Sequence, residues 1–317
     1  VVLEKTAGGL VELVGAVDID PDKVGRDVGS LLGLEGRTGI SVSADAEAAL
    51  AESRPDVVVH CTSSFLDRIE GQVAACVHAG AHVVSSTEEL AYPYDRDPAL
   101  SARIDALARE HGVAVVGTGV NPGYAMDTLA LAATAPCVAV RSVHVERVVD
   151  AGTRRLPLQR KVGAGITEEA FSERKAAGGF GHIGLVESVR LVAAGLGWAL
   201  DAVEETLAPV LAERAADTPF LSVSRGQVAG IHHAARGLVG GREVITLDLK
   251  MFVGAEGSRD AVTVEGDPPI RLLAEGGIFG DTATVGLLVN TAGLVGQALP
   301  GLHTMADLPV PRAFATA

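Results

Sequence analysis

Two adjacent carboxylates, Glu88 and Glu89, stand in the string VVSSTEELAYPY, residues 83–94, just after the apolar pair Val83 and Val84. A carboxylate at the end of a buried strand can act as a general base, or stabilise a cation that forms during hydride transfer. The same pair also reads as first-turn residues that complement a helix dipole. Tyr92, Pro93 and Tyr94 follow and can wall a small pocket. A second string, GTGVNPGYAMDTL (117–129), follows the apolar run Val113–Val116. Pro122 fixes one torsion and Gly123 permits a positive one. Asn121, Pro122 and Gly123 therefore form a rigid turn, able to hold a cofactor amide or a substrate, with Tyr124 beside it. Asp127 reads as a surface or capping residue. A third string, HCTSS (60–64), puts Cys61, Thr62 and Ser63 after the run Val57–Val59. Small hydroxyl residues there can approach a pyrophosphate or a ribose, and Ser63 or Ser64 reads equally as a helix cap. His182 sits among glycines in GGFGHIGLVES (178–188). It is a candidate for facing substrate, with Phe180 as a neighbouring pocket residue, and it reads equally as structural. His232 and His233 lie in a strand pattern, where neighbours point to opposite faces. The nine histidines and the many carboxylates do not cluster at ligand spacing, so no metal site is expected.

These strings need a frame that brings them to one rim. Val11–Val17 reads as a buried strand ending at Asp18. Residues 43–53 read as a short helix. Leu66, Ile69, Val73, Cys76 and Val77 recur at helical spacing, as do Leu100, Ile104 and Leu107 after Asp97. Uniformly apolar strands alternating with helices predict a doubly wound parallel sheet of the Rossmann type. Ligands of such sheets bind at the carboxyl ends of the strands. Cys61, Thr62, Ser63, Thr87, Asn121, Pro122 and Gly123 then become cofactor contacts. In that fold an acidic residue about 20 residues after a glycine-rich turn binds the ribose hydroxyls. Asp18 has this context, although it reads equally as the opening of the turn DIDPD. Counting back places the glycine turn before residue 1. The first strand and its turn are therefore expected to be missing, through truncation or a misplaced start. Asp18 favours NAD over NADP, a preference that Lys23 and Arg26 blur.

The pattern changes near residue 138. Ala139–Val149 alternates as a half-exposed strand, 167–175 and 184–198 read as helices, and 221–264 holds three or four alternating strands. That predicts a mostly antiparallel sheet with one covered face, and hence an α+β domain. The expected division is 1–134 for a dinucleotide-binding domain, 135–280 for a substrate and dimerisation domain, and 281–317 for a C-terminal helix and tail returning to the first domain.

Composition narrows the partners. The chain has 317 residues, 48% of them hydrophobic and 21% charged, which is a globular balance. Aromatics make up 3% and the net charge is −14, a poor match for nucleic acid or anionic membrane. Cys61, Cys76 and Cys137 are odd in number and widely spaced, so a reduced, cytoplasmic protein is expected. No run is apolar enough to span a membrane. Arg154, Arg155, Arg160 and Lys161 offer charges for an acidic substrate group, and read equally as solvated surface.

The strings STEELAYP, GTGVNPGYAMDTL, QRKVGAGITEEAF and GHIGLVES resemble those of NAD(P)-dependent amine dehydrogenases and 2,4-diaminopentanoate dehydrogenases, relatives of dihydrodipicolinate reductase. The likeness runs from Val11 to about Thr291. It implies a homodimer with a Rossmann domain and an α+β substrate domain. It implies an oxidoreductase that deaminates a primary amine, or aminates a ketone or aldehyde with ammonia, using NAD or NADP. It also implies a catalytic glutamate at the EE pair, carried onto Glu88 first and Glu89 second. Tyr92, Tyr124, Phe180 and His182 are the substrate-pocket candidates. The family's glycine-rich first turn is not in this chain, and Arg236 stands where the reductases' paired-histidine motif has a lysine. The alternatives are an imine reductase, a homoserine-type alcohol oxidoreductase, and a non-enzymatic dimeric remnant.

Overall fold

Short apolar runs alternating with helices build the first part of the chain. The computed structural model describes residues 2–3 and 11–314. It divides into unit 1, Val1–Thr118 with Thr284–Ala317, and unit 2, Gly119–Ala283. In unit 1, β1 (Ala16–Val17) pairs in parallel with β2 (Val42–Ser43), after a single helical turn, α1 (Val28–Leu31). Then come α2 (Ala46–Ser53), β3 (Val57–His60), α3 (Glu70–His78), β4 (His82–Ser85), α4 (Pro98–Glu110) and β5 (Ala114–Gly117). Asp45 and Asp97 cap α2 and α4 by accepting from Ala48 N and Leu100 N, and Pro98 opens α4, the position where its missing N–H costs nothing. Strands β3, β4 and β5 are parallel, with Val58 opposite Val83 and Val83 opposite Val115. Val83, Val84, Val115 and Val116 are fully buried, as expected of a parallel sheet covered on both faces.

One strand differs from its sequence expectation. Of Val11–Val17 only Ala16 and Val17 find ladder partners, and Val14 and Val17 remain 40% and 48% exposed. Among the described residues β1 has a neighbour on one side only, so apolar character does not become burial there. Residues 1 and 4–10 lie outside the described residues.

Unit 2 begins with α5 (Thr128–Thr134) and the long strand β6 (Ala139–Asp150). Helices α6 (Leu156–Lys161), α7 (Glu168–Ala177) and α8 (Leu185–Leu196) lead to β7 (Ala202–Leu211), a small hairpin of β8 (Ala216–Asp217) and β9 (Ser222–Val223), then β10 (Val228–Val239), β11 (Arg242–Phe252), β12 (Arg259–Asp267) and β13 (Ile270–Glu275). The six-stranded sheet runs β13-β12-β6-β11-β10-β7. Only the β6–β11 pair is parallel. Apolar residues of α5 and α8 pack on one face, where Ala130, Ala133, Leu185, Val189 and Val192 join Val143, Ile231, Leu247 and Leu249 in one core. Helix α5, placed by the sequence reading in the first domain, thus belongs to unit 2. Along β11 the other face carries Thr246, Asp248 and Lys250, all half-buried. Helix α9 (Gly280–Val295) carries the chain back into unit 1, and β14 (Gly301–His303) adds a parallel strand beside β5. Unit 1 is therefore a Rossmann-type α/β sheet with the order β14-β5-β4-β3, and unit 2 is an α+β fold on a mostly antiparallel sheet. No helix among the described residues is long and apolar enough to cross a membrane.

Candidate functional site

In unit 1 the carboxyl ends of β3 and β4 lie side by side, with His60 opposite Ser85. The chain leaves β4 through Ser86 and Thr87 into a tight 3-10 turn, Glu88–Ala91. That turn presses on the end of β5: a Cβ added at Gly117 would stand 2.5 Å from the Leu90 carbonyl carbon. Only glycine lets strand and turn approach so closely. The two glutamates part company here. Glu89 is 5% exposed. Its Oε2 accepts from Leu66 N at 2.8 Å, and its Oε1 lies 3.0 Å from Arg96 Nη1. Glu88 is half-buried. Thr87, before it, is buried and donates its N–H to Ser85 Oγ at 3.1 Å. Both neighbours of Glu88 are therefore anchored.

Around this turn, Tyr92 is half-buried and meets Tyr94 edge-on at 5.2 Å. The Tyr94 hydroxyl donates to Leu302 O at 2.9 Å, and burial pushes its pKa up to about 12. Tyr94 therefore serves the join to β14. Cys61 is exposed with a free thiol. Thr62 Oγ1 donates to Gln72 Oε1 at 2.5 Å, and Ser63 Oγ accepts from Phe65 N at 3.1 Å, a local turn contact. Thr118, just past β5, is 2% exposed, and its Oγ1 has no hydrogen-bond partner among the described residues. Asp18 directly follows β1, and its N–H donates to Ser43 O of β2. Lys23 Nζ sits 2.6 Å from it and holds its carboxyl below the usual range, helped by the Asp20 amide.

In unit 2 the turn Asn121–Gly123 is built around Asp127. That carboxylate is fully buried, which overturns the surface reading, and it caps α5, as the capping reading expects. Its Oδ2 accepts from Gly123 N at 2.8 Å and Ser188 Oγ at 2.6 Å, and its Oδ1 from Thr128 N at 2.6 Å. Thr128 Oγ1 returns a bond to Gly123 O at 2.7 Å. Gly123 adopts a φ of 122°. Asn121 Nδ2 lies 3.0 Å from His182 Nε2, so two predicted site residues do meet. Burial pushes His182 well below the ordinary histidine value, with Lys161, His233 and Arg147 adding to the effect. A neutral ring accepting the Asn121 N–H carries its proton on Nδ1. Asn121 Oδ1 is buried and has no partner among the described residues. Tyr124 is half-buried beside this turn. Phe180 packs edge-on against Phe171 at 5.1 Å, in the core of unit 2.

The tandem histidines point apart, as a strand requires: His232 Nε2 meets Asp248 at 2.9 Å, while His233 is 3% exposed and meets Glu205 at 2.9 Å. Arg154 is not solvated surface. It is 5% exposed and donates to Asp281 Oδ1 at 2.8 Å. Sequence reasoning also missed Arg147, 2% exposed and 2.5 Å from the buried Asp260. It missed His60, Gln72 and Ser85, which tie β3 to β4, and Asn290 and Thr291 of α9, whose Oδ1 and Oγ1 are buried without partners among the described residues. The available signal was polarity inside apolar runs, such as VVVHC and LLVNTAG.

The 2,4-diaminopentanoate dehydrogenase C-terminal domain model matches residues 124–317. The chain belongs to the 2,4-diaminopentanoate dehydrogenase family. It is 35% identical over 274 residues to the 2,4-diaminopentanoate dehydrogenase of Acetoanaerobium sticklandii, covering 84% of this chain and 78% of that protein. It is 27% identical to an amine dehydrogenase of Streptomyces virginiae, over 95% and 90% of the two chains. The structure of amine dehydrogenase from Mycobacterium smegmatis superposes with a TM-score of 0.85 at 27% identity, covering 99% of this chain and 94% of that one. The protein is accordingly an enzyme, an oxidoreductase of the amine dehydrogenase type, which sets aside the reading as a non-enzymatic remnant.

Proposed function

We propose that the chain catalyses reversible oxidative deamination of a primary amine, run in the other direction as reductive amination of a ketone or aldehyde with ammonia, and that NAD or NADP is its coenzyme. The observation that carries this reading is Glu88: a half-buried carboxylate at the carboxyl end of a central parallel strand, between two anchored neighbours. In our reading Glu88 takes protons from the incoming amine and stabilises the iminium charge. Partial burial strengthens that ion pair, because the local dielectric is lower than that of water. Glu89, which accepts from Leu66 N and pairs with Arg96, fixes the turn.

The residues at the strand ends fit a dinucleotide. Thr118 Oγ1 is a buried polar atom without a partner among the described residues, and Cys61, Thr62, Ser63 and Thr87 line neighbouring ends. These groups, with Asp18 for ribose hydroxyls, would hold the coenzyme in unit 1. The coenzyme, when bound, supplies or accepts the hydride. The Asp18–Lys23 pair offers an acceptor and a cation together, so both NAD and NADP belong in the test. In unit 2, Asn121 Oδ1 and the turn Pro122–Gly123 offer polar contacts for an amide or a substrate, with His182 as a neutral ring beside them. Tyr92 and Tyr124 are the aromatic pocket candidates. A homodimer, taken from the family likeness, is checked by sedimentation.

The experiment is NADH and NADPH consumption with a panel of small ketones and aldehydes, with and without ammonium. Ammonium-dependent turnover is expected. Turnover that ignores ammonium would overturn the amine reading and point to an alcohol or imine reductase.

A further inference from the structure

We infer that His60, through Ser85 and Thr87, is the residue that positions Glu88. The proposal rests on the reading of Glu88 as the group that handles the amine. His60 ends β3 and is 6% exposed. Its Nε2 lies 2.7 Å from Gln72 Oε1 and its Nδ1 lies 2.9 Å from Ser85 Oγ. Ser85 is fully buried, and its hydroxyl stands 2.9 Å from Thr87 Oγ1.

The direction of this chain follows from its far end. An amide oxygen only accepts, so Gln72 Oε1 takes the Nε2 proton of His60, as well as that of Thr62 at 2.5 Å. His60 Nδ1 then carries a lone pair and accepts from Ser85. Ser85 Oγ also accepts from the Thr87 backbone N–H at 3.1 Å, and the Ser85 and Thr87 hydroxyls lie 2.9 Å apart. Thr62 Oγ1 also stands 3.0 Å from His60 Nε2, and Thr87, the residue before Glu88, is held by two contacts with Ser85. Burial keeps His60 below its ordinary pKa and therefore neutral, as the chain requires. On the other side of Glu88, the Glu89 N–H donates to Ser64 O at 3.2 Å, so the HCTSS segment grips the turn from both ends. A carboxylate held this way needs little reorganisation before it meets charge.

Two substitutions separate the arms of the ring. His60→Asn puts an acceptor where Nδ1 stands and keeps the Ser85 bond. His60→Gln puts its amide where Nε2 stands and loses that bond. His60→Gln is expected to lower kcat about tenfold to hundredfold, the usual effect of removing a supporting hydrogen bond, with the KM for the carbonyl little changed. His60→Asn should recover to within about threefold of the parent. Hydrogen exchange of the amides of residues 86–91 should quicken in the Gln variant and not in the Asn variant. In a Glu88→Gln background, His60→Gln should cost nothing further in kcat. Ser85→Ala makes the same cut should His60→Gln fail to fold. Equal behaviour of the Asn and Gln variants in rate and exchange overturns the proposal, as does a His60 effect that multiplies with that of Glu88→Gln. Full turnover by Glu88→Gln alone would instead sink the role of Glu88, while the exchange pattern still decides whether His60 locks the turn.

Discussion

Two turns leave neighbouring strands of one parallel sheet, both carry carboxylates, both lean on a histidine, and they use these groups differently. After β4, Glu89 anchors the turn while Glu88 stays half-buried, and the turn hangs on neutral His60 through Ser85. After β5, Asp127 is wholly enclosed and gives both oxygens to Gly123, Thr128 and Ser188, while Asn121 reaches neutral His182. A carboxylate beside a strand end is therefore not chemistry by itself. An acid that collects three donors, as Asp127 does, holds the backbone together.

The sharpest way to break this contrast is Glu88→Gln. It keeps shape and removes charge, and turnover should fall by about 10² to 10⁴ with the melting temperature nearly unchanged. A Gln variant with full turnover would falsify the assignment. Asp127→Ala should do the reverse. Three buried donors lose their acceptor, at about 1–3 kcal/mol each, so denaturant melts should show a loss of about 3 kcal/mol or more. An Asp127 variant that melts like the parent would erase the distinction. Gly117→Ala forces a methyl into the Leu90 backbone and should cost about 1–3 kcal/mol together with activity, because the Glu88 turn must move. Activity retained at reduced stability would show that the turn tolerates displacement.

The smallest expected effect is a pH dependence. Burial holds both His60 and His182 below the ordinary histidine value, so below about pH 6.5 the unfolded chain binds more protons than the folded one. Stability is then complete above that pH and declines as pH falls towards the folded values. Melting temperatures measured from pH 8 to 5 should drop on the acid side, and His182→Gln should flatten the drop by removing one of the rings. A melting temperature constant over this window would mean that neither ring is held neutral.

Much of the parallel sheet was legible because its strands are short, apolar and punctuated: Asp97 with Pro98, and Gly112, mark both ends of α4. β6 and the alternating strands of unit 2 were legible for a different reason, their period of two. β7, β13 and β14 were not. β7 is an edge strand carrying Pro209, with its residues half-buried or exposed, so it has neither strict alternation nor a continuous apolar run. β14 is three residues long and exists only because β5 offers it an edge. The family strings were legible as strings. What Asp127, Arg154 and Phe180 do was not, since each owes its place to residues far along the chain: Ser188, Asp281 and, across a glycine-rich loop, Phe171.

The sequence by itself determined the alternation of strands and helices, the two kinds of sheet, and the rim on which the EE pair sits. Those features depend on local torsions, caps and hydrophobic period. The tertiary structure alone decided that Glu89 is tied to Leu66 and Arg96, that Asp127 is buried, and that His60 rather than any residue of the EEL turn sets the hydrogen bonds behind Thr87. Burial and hydrogen-bond partnership are properties of atoms brought together from distant positions, and no spacing along the chain encodes them.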